Sequence, residues 1–209
     1  MFEVVTPAAS RAILGADELR LAAGLLATDT SQDGRLSDLG LRVADAIARH
    51  CNVAEDGVTP PTLLSEVCAE TIRLMEPRQS IVLRRRFVTA ISSVTEDGVG
   101  LGAGSYEIDK ASGVLRRLCH DRPASWTASK VIIMYTAGFT APPNDIKQAA
   151  ELFLRQMYAQ FSRDPLMRRE RVDGVGESEY WVGSIDPKNQ SPFPSDVAAL
   201  LAPYLNGMI

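Results

Sequence analysis

Four residues of this chain are of the types that could in principle make a metal site. His50 adjoins Cys51 and Cys119 adjoins His120, and these are the only two histidines and two of the three cysteines. Two imidazoles and two thiolates form a tetrahedral zinc set. The spacing is not that of a zinc finger, and adjacent side chains on a strand point to opposite faces. The plainer reading treats Cys51 and Cys119 as small buried hydrophobes. It sets His50 near a helix C-terminus, where its cation favours the dipole. A metal- or small-ligand-binding α+β domain using His50/Cys51 and Cys119/His120 stands as the alternative to a purely structural role.

Other chemistry is thinly supplied. GVGLGAG, residues 98–104, has the pattern G-x-G-x-G but lacks the Lys-Ser/Thr of a phosphate loop and precedes no helix, so it reads as a hairpin tip. There is no G-x-S-x-G elbow, and two histidines are few general bases. Glu177 and Glu179 lie in a polar, glycine-bearing stretch where nothing would desolvate them. No catalytic residue, metal or cofactor is expected.

The remaining polar clusters are basic. Arg84-Arg85-Arg86 and Arg116-Arg117 fall in strand-like segments and read as a solvated face. Arg168, Arg169 and Arg171 stand beside Val175, Tyr180 and Trp181, and here docking to an acidic neighbour is the better reading. Tyr and Trp give large contact area at small entropy cost, and a polar loop cannot bury them by itself. Either they fold back on their own subunit or they anchor an arm on the next one. Gly174, Gly176 and Gly183 would let such an arm bend.

The whole chain sets bounds on these readings. It has 209 residues, 45% hydrophobic and 23% charged, which is a globular composition long enough for one substantial core or two small ones. A net charge of −4 argues against a protein that wraps nucleic acid. No signal peptide and no apolar run of membrane-spanning length stands out. Three cysteines without C-x-x-C spacing fit a reducing, intracellular place of assembly.

Three regimes must position the clusters. Up to about residue 60 the pattern predicts helices: Leu19, Ala22, Ala23 and Leu26 share a stripe in ADELRLAAGLLA, and Leu36, Leu39, Val43 and Ile47 share another. Residues 61–140 predict a small antiparallel β subdomain. Its strands are TLLSEVCAETIRLM, SIVLRRRFVTAISSVT, YEID, VLRRLC and KVIIMYTAGF, the last a continuous apolar run suited to cover on both faces. Residues 141–165 predict one long helix, with Ile146, Ala149, Ala150, Phe153, Met157 and Phe161 in a stripe that Asp164-Pro165 ends. Residues 166–209 then form an extended C-terminal arm closing in a short helix before Pro203. The fold class is therefore α+β: a helical bundle with an inserted antiparallel β subdomain and a C-terminal arm.

Taken in order, YEIDKASGVLRRL, VIIMYTAGFTAPPNDIKQAAELFL, RDPLMRRERVDGVGESEYWVGS and PSDVAALLAPYL resemble the head–tail connector (adaptor, or head-completion) proteins of long-tailed phages, prophages and gene transfer agents. The likeness covers residues 60–205. It implies a structural virion protein of the head–tail neck, assembled in the host cytoplasm, with no enzymatic activity. Its implied partners are further copies of itself in a ring, usually of twelve, the portal above, and a stopper or tail-terminator below, with double-stranded DNA passing unbound through the lumen. It further implies that residues 166–185 are the arm, with Arg168, Arg169, Arg171, Val175, Tyr180 and Trp181 at its interface. Val197, Leu200, Leu201, Tyr204 and Leu205 would dock the terminal segment on a neighbour or the portal. IDPKNQSPF, residues 185–193, is a longer insertion than the resemblance leads one to expect.

Overall fold

The computed structural model describes residues 1–161, 169–172, 176–179 and 193–207; for 160–161, 169–172 and 176–179 it describes the backbone. The elements run β1 (Phe2–Thr6), α1 (Ala16–Ala22), α2 (Asp33–His50), β2 (Glu66–Arg73), β3 (Ser80–Val82), β4 (Val88–Glu96), β5 (Val99–Gly100), β6 (Tyr106–Asp109), β7 (Val114–Cys119), β8 (Arg122–Ala124), β9 (Lys130–Ala137), α3 (Asn144–Phe161), β10 (Arg169–Val172), β11 (Gly176–Glu179) and α4 (Ser195–Leu201). The fold is mixed α+β, with antiparallel sheets and, among the described residues, four α-helices. No helix there is long and apolar enough to cross a membrane.

Two compact units divide the chain. One comprises Met1–Arg11, Ala48–Pro143 and Tyr204–Ile209; the other comprises Ala12–Ile47 and Asn144–Pro203.

The first unit holds a five-stranded sheet in the order β1-β2-β9-β4-β5 and a second sheet, β3-β7-β6, with β8 also on β7. Central strand β9 alternates strictly. Val131, Ile133, Tyr135 and Ala137 are buried, while the residues between them are half-buried. One face is therefore sealed and the other partly covered, which corrects the expectation of full cover on both. A single core joins Phe2, Cys68, Leu83, Leu115 and Trp126 to these β9 residues.

SIVLRRRFVTAISSVT is two strands and not one. Phe87 sits at φ 57°, in the left-handed region a bulky residue rarely enters, and the chain turns there between β3 and β4. Leu83 N–H bonds Gly113 O at 2.9 Å and Val88 N–H bonds Lys110 O at 2.8 Å, which pins both sides of the bend. β1 and β8, which no clear alternation marks in the sequence, complete the sheets. The glycine-rich stretch is a hairpin: Asp97 (φ 47°) and Gly98 (φ 87°) form its tight turn between β4 and β5.

The second unit is helical apart from the β10–β11 pair. α1 stops earlier than its apolar stripe, because Gly24 adopts φ 78° just past the helix end and leaves Leu26 exposed. Leu36, Leu39, Val43 and Ile47 of α2 are all buried, as their spacing predicts. Ile146, Ala149, Ala150 and Leu154 bury the inner face of α3. Phe153 meets Phe193 with ring centroids 4.5 Å apart. α1 and α4 both lie against α3.

Candidate functional site

The four residues of the alternative metal-binding reading are not gathered into a metal-ligand cluster among the described residues. Cys51 is fully buried just beyond α2, and burial pushes its thiol up to about 12, away from the thiolate a metal needs. Burial also lowers the pKa of His50. Cys119 is exposed, against expectation, at the tip of the β7–β8 hairpin, where its Sγ lies 3.3 Å from His120 Nδ1. His120 and Asp121, at φ 50° and 62°, make that tip a tight turn. Among the described residues no three His, Cys, Asp or Glu side chains gather at a metal-binding distance.

The basic residues hold the larger correction. The arginines at 84–86 lie in the bend between β3 and β4, not on a strand, and each does something different. Arg85 is buried. Its guanidinium donates to Glu66 Oε2 and to Thr62 O, both at 2.6 Å, while its Nε has no partner among the described residues. Arg84 keeps more than half its side chain exposed and stands 3.7 Å from Glu70 Oε1. Its backbone N–H donates to Glu70 Oε2 at 3.1 Å, where the buried Tyr135 hydroxyl also donates, at 3.1 Å. Arg86 donates to Leu205 O at 2.5 Å and lies 5.0 Å over the Phe87 ring. The solvated-face reading fails here because Glu66 and Glu70 occupy the core-facing register of β2, alternating with Cys68.

Burial raises the pKa of both glutamates. Arg85 partly opposes the rise at Glu66; at Glu70 the Arg84 N–H and the Tyr135 hydroxyl oppose it. Burial in turn pushes the Tyr135 phenol well up, with Glu70 adding to the effect. A signal for this cluster exists in the sequence: Glu-x-Cys-x-Glu puts two carboxylates and a thiol on one strand face. Reading it requires knowing which arginine answers it.

Arg117 is likewise paired, with Nε and Nη2 each 3.2 Å from the Glu96 carboxylate. Arg116 is exposed and reaches Glu107 at 3.5 Å, which is a surface contact of small worth.

The last segment of the first unit is held by several bonds. Asn206 N–H bonds Cys51 O at 2.9 Å, and its side-chain amide donates to Arg84 O at 2.8 Å. Tyr204 packs with Phe87 and Phe139, at centroid separations of 5.9 and 5.8 Å. Gly138 makes this corner possible. At φ 101°, a Cβ there would lie 2.3 Å from Leu64 O.

Of the residues expected to dock outward, Val197 and Leu201 are buried in the second unit and Leu200 is half-buried. Tyr204 belongs to the aromatic cluster of its own chain, and Leu205 is exposed. Val197 and Leu201 are thus committed to the chain's own core, and truncation ahead of α4 would remove core residues. Arg168, Val175, Tyr180 and Trp181 lie outside the described residues, as do 185–192 of the insertion. The backbone at Arg169 and Arg171 forms strand β10, which pairs with β11 so that Arg169 stands opposite Glu179 and Arg171 opposite Glu177.

No family model and no curated protein matches this chain. Its fold recurs in solved structures of gene transfer agent (GTA) particles. A chain in the neck of the empty GTA particle, computed with C6 symmetry, superposes with a TM-score of 0.58 at 19% identity. A chain in the virion of the native particle gives 0.59 at 17% identity. One in the neck of the native particle, computed with C12 symmetry, gives 0.54 at 19% identity. Each alignment covers 100% of this chain and 97% of the other. At such identities the likeness is one of fold.

Proposed function

We propose that this chain is a structural protein of the head–tail neck of a phage-like or gene-transfer-agent particle. Copies form a homo-oligomeric adaptor ring that docks under the portal and continues the DNA channel towards the tail. One observation carries the reading: end-to-end sharing of fold with chains of GTA particles, two of them from necks computed with C6 or C12 symmetry.

The physical chemistry of the chain supports this role. A closed ring uses heterologous contacts, in which one face of a subunit meets a different face of the next. Residues 166–185 serve as the arm, with Tyr180 and Trp181 as its anchors and Arg168, Arg169, Arg171 and Val175 beside them. Once one contact is made, the arm docks at high effective concentration. DNA must pass without adhering, and a subunit with net charge −4 avoids repeated phosphate contacts. Two of the arginines at 84–86 are engaged within the subunit, which supports basic clusters that face protein and not the lumen.

Trp181→Ala tests the arm. Assembly with portal-bearing heads should weaken by about 2 kcal/mol or more, while the melting temperature of the isolated chain stays put. A large melting shift with assembly intact would place Trp181 on its own subunit and end the arm reading.

A further inference from the structure

We propose that the groove between β2 and β3 receives strand β11 of a second copy of this chain. This rests on the ring reading above and names the contact by which neighbouring copies would be joined.

The groove is a cavity of about 680 Å³ lined within the first unit by residues that include Arg73, Arg78, Ser80, Val82 and Arg84. Three guanidinium groups therefore border one space. The single carboxylate there, Glu70, is buried, accepts from Tyr135 and the Arg84 N–H, and lies 3.7 Å from the Arg84 guanidinium. Arg73 and Arg78 are exposed and make no ion pair among the described residues. With Glu70 answering Arg84, the groove keeps two guanidinium groups, Arg73 and Arg78, without an ion pair among the described residues.

One wall is an open strand edge. β3 pairs only with β7 among the described residues. Ile81 stands opposite Leu115, and the Leu83 N–H donates to Gly113 O at 2.9 Å. In an antiparallel ladder, alternate residues exchange bonds with the partner and those between direct theirs outward. Ser80 and Val82 therefore present N–H and C=O groups on the side away from β7, where no strand of the described residues meets them. Such an edge accepts an added strand. It discriminates against a phosphate backbone, which offers only acceptors and leaves the carbonyls unsatisfied.

The chain itself contains a complementary strand. β11, Gly176–Glu179, pairs only with β10 among the described residues, so its second edge is also open there. Residues 169–179 hold two arginines against four carboxylates. At about 3.3 Å per residue, the three residues of β3 span roughly 10 Å and the four of β11 roughly 13 Å. Edge, charge and length agree.

The test uses a fluorescein-labelled peptide of residues 172–182, VDGVGESEYWV, titrated with the full chain by anisotropy. The receptor carries Glu177→Gln and Glu179→Gln so that its own strand competes poorly. The expected result is saturable binding that Arg73→Glu with Arg78→Glu weakens at least about tenfold, without a change in melting temperature. A peptide carrying Glu177→Lys and Glu179→Lys should restore binding to that variant. No binding, or equal binding by both receptors, overturns the proposal. Displacement of the peptide by a short DNA duplex through the same two arginines also overturns it, by making the groove a phosphate site. The ring reading is judged separately. If Arg73→Glu/Arg78→Glu still assembles with portal-bearing heads, only the groove assignment falls; if the unaltered chain never assembles, the ring falls first.

Discussion

The two units are stabilised in different ways. The sheet unit buries charge: Glu66, Glu70 and Arg85 lie among Phe2, Cys68 and Tyr135, and their bonds join segments far apart in sequence. The helical unit buries an aliphatic stripe and one charge, Arg20, whose carboxylate partners both reach solvent. Arg20 bridges Asp17 and Asp33, and Lys147 reaches Glu18 at 2.7 Å. A buried ion pair contributes little against a well-packed apolar substitute but costs heavily when half of it is removed. The first unit is therefore expected to be brittle towards single substitutions and sensitive to pH, and the second to respond chiefly to lost volume.

The widest separation between the units should come from Arg85→Ala. It strands the Glu66 carboxylate and should destabilise the sheet unit by about 3–5 kcal/mol. Trp126, fully buried in that unit, reports the transition by fluorescence in a Trp181→Phe background. Glu66→Met with Arg85→Met should recover most of the loss; a double variant as unstable as the single one would refute the pair's brittleness. In the helical unit, Leu154→Ala removes a fully buried side chain. It should cost about 2–5 kcal/mol, seen in the far-ultraviolet helix signal more than in Trp126. Gly138→Ala forces a Cβ onto Leu64 O and a left-handed φ onto alanine, with an expected cost of at least about 1–3 kcal/mol in the Trp126 transition.

The pH response follows from the direction of each shift. Glu66 and Glu70 have raised pKa values in the folded chain. Their contribution is present below the ordinary carboxylate value and is lost as pH rises through the raised ones. Asp56 behaves in the opposite sense: the N–H groups of Thr59, Val58 and Val4 hold it at about 2, so its contribution fades as pH falls from 3.8 towards that value. Urea midpoints of the Trp126 transition measured across pH should show both limbs, and Glu70→Gln should flatten the upper one. An unchanged upper limb would mean Glu70 does not cause it. Lys147→Ala should have the smallest effect, about 0.2–1 kcal/mol, because its half-buried pair with Glu18 still reaches solvent.

Much of this fold is legible in the sequence, and unevenly so. The α2 and α3 stripes are readable because helical partners lie three and four residues apart, within one local window. β9 is readable from its apolar run, though only the ladder shows that one of its faces is less covered. Phe87 cannot be foreseen as a turn, because nothing local marks a phenylalanine for positive φ; Gly113 and Lys110 hold it from across the bend. The arginines at 84–86 escape a local reading for the same reason, since their partners Glu66, Glu70 and Leu205 are up to 119 residues away. Val197 and Leu201 show an apolar face, but the sequence does not say whether a face is covered by its own chain or by another.

The proposed function requires that copies of this chain close into a ring beneath a portal. Electron microscopy of the full chain mixed with portal-bearing heads tests it most directly. The expected result is a rotationally symmetric layer of this protein, coaxial with the portal and enclosing an open channel. Heads that acquire no such layer, or a layer that blocks the channel, would contradict it.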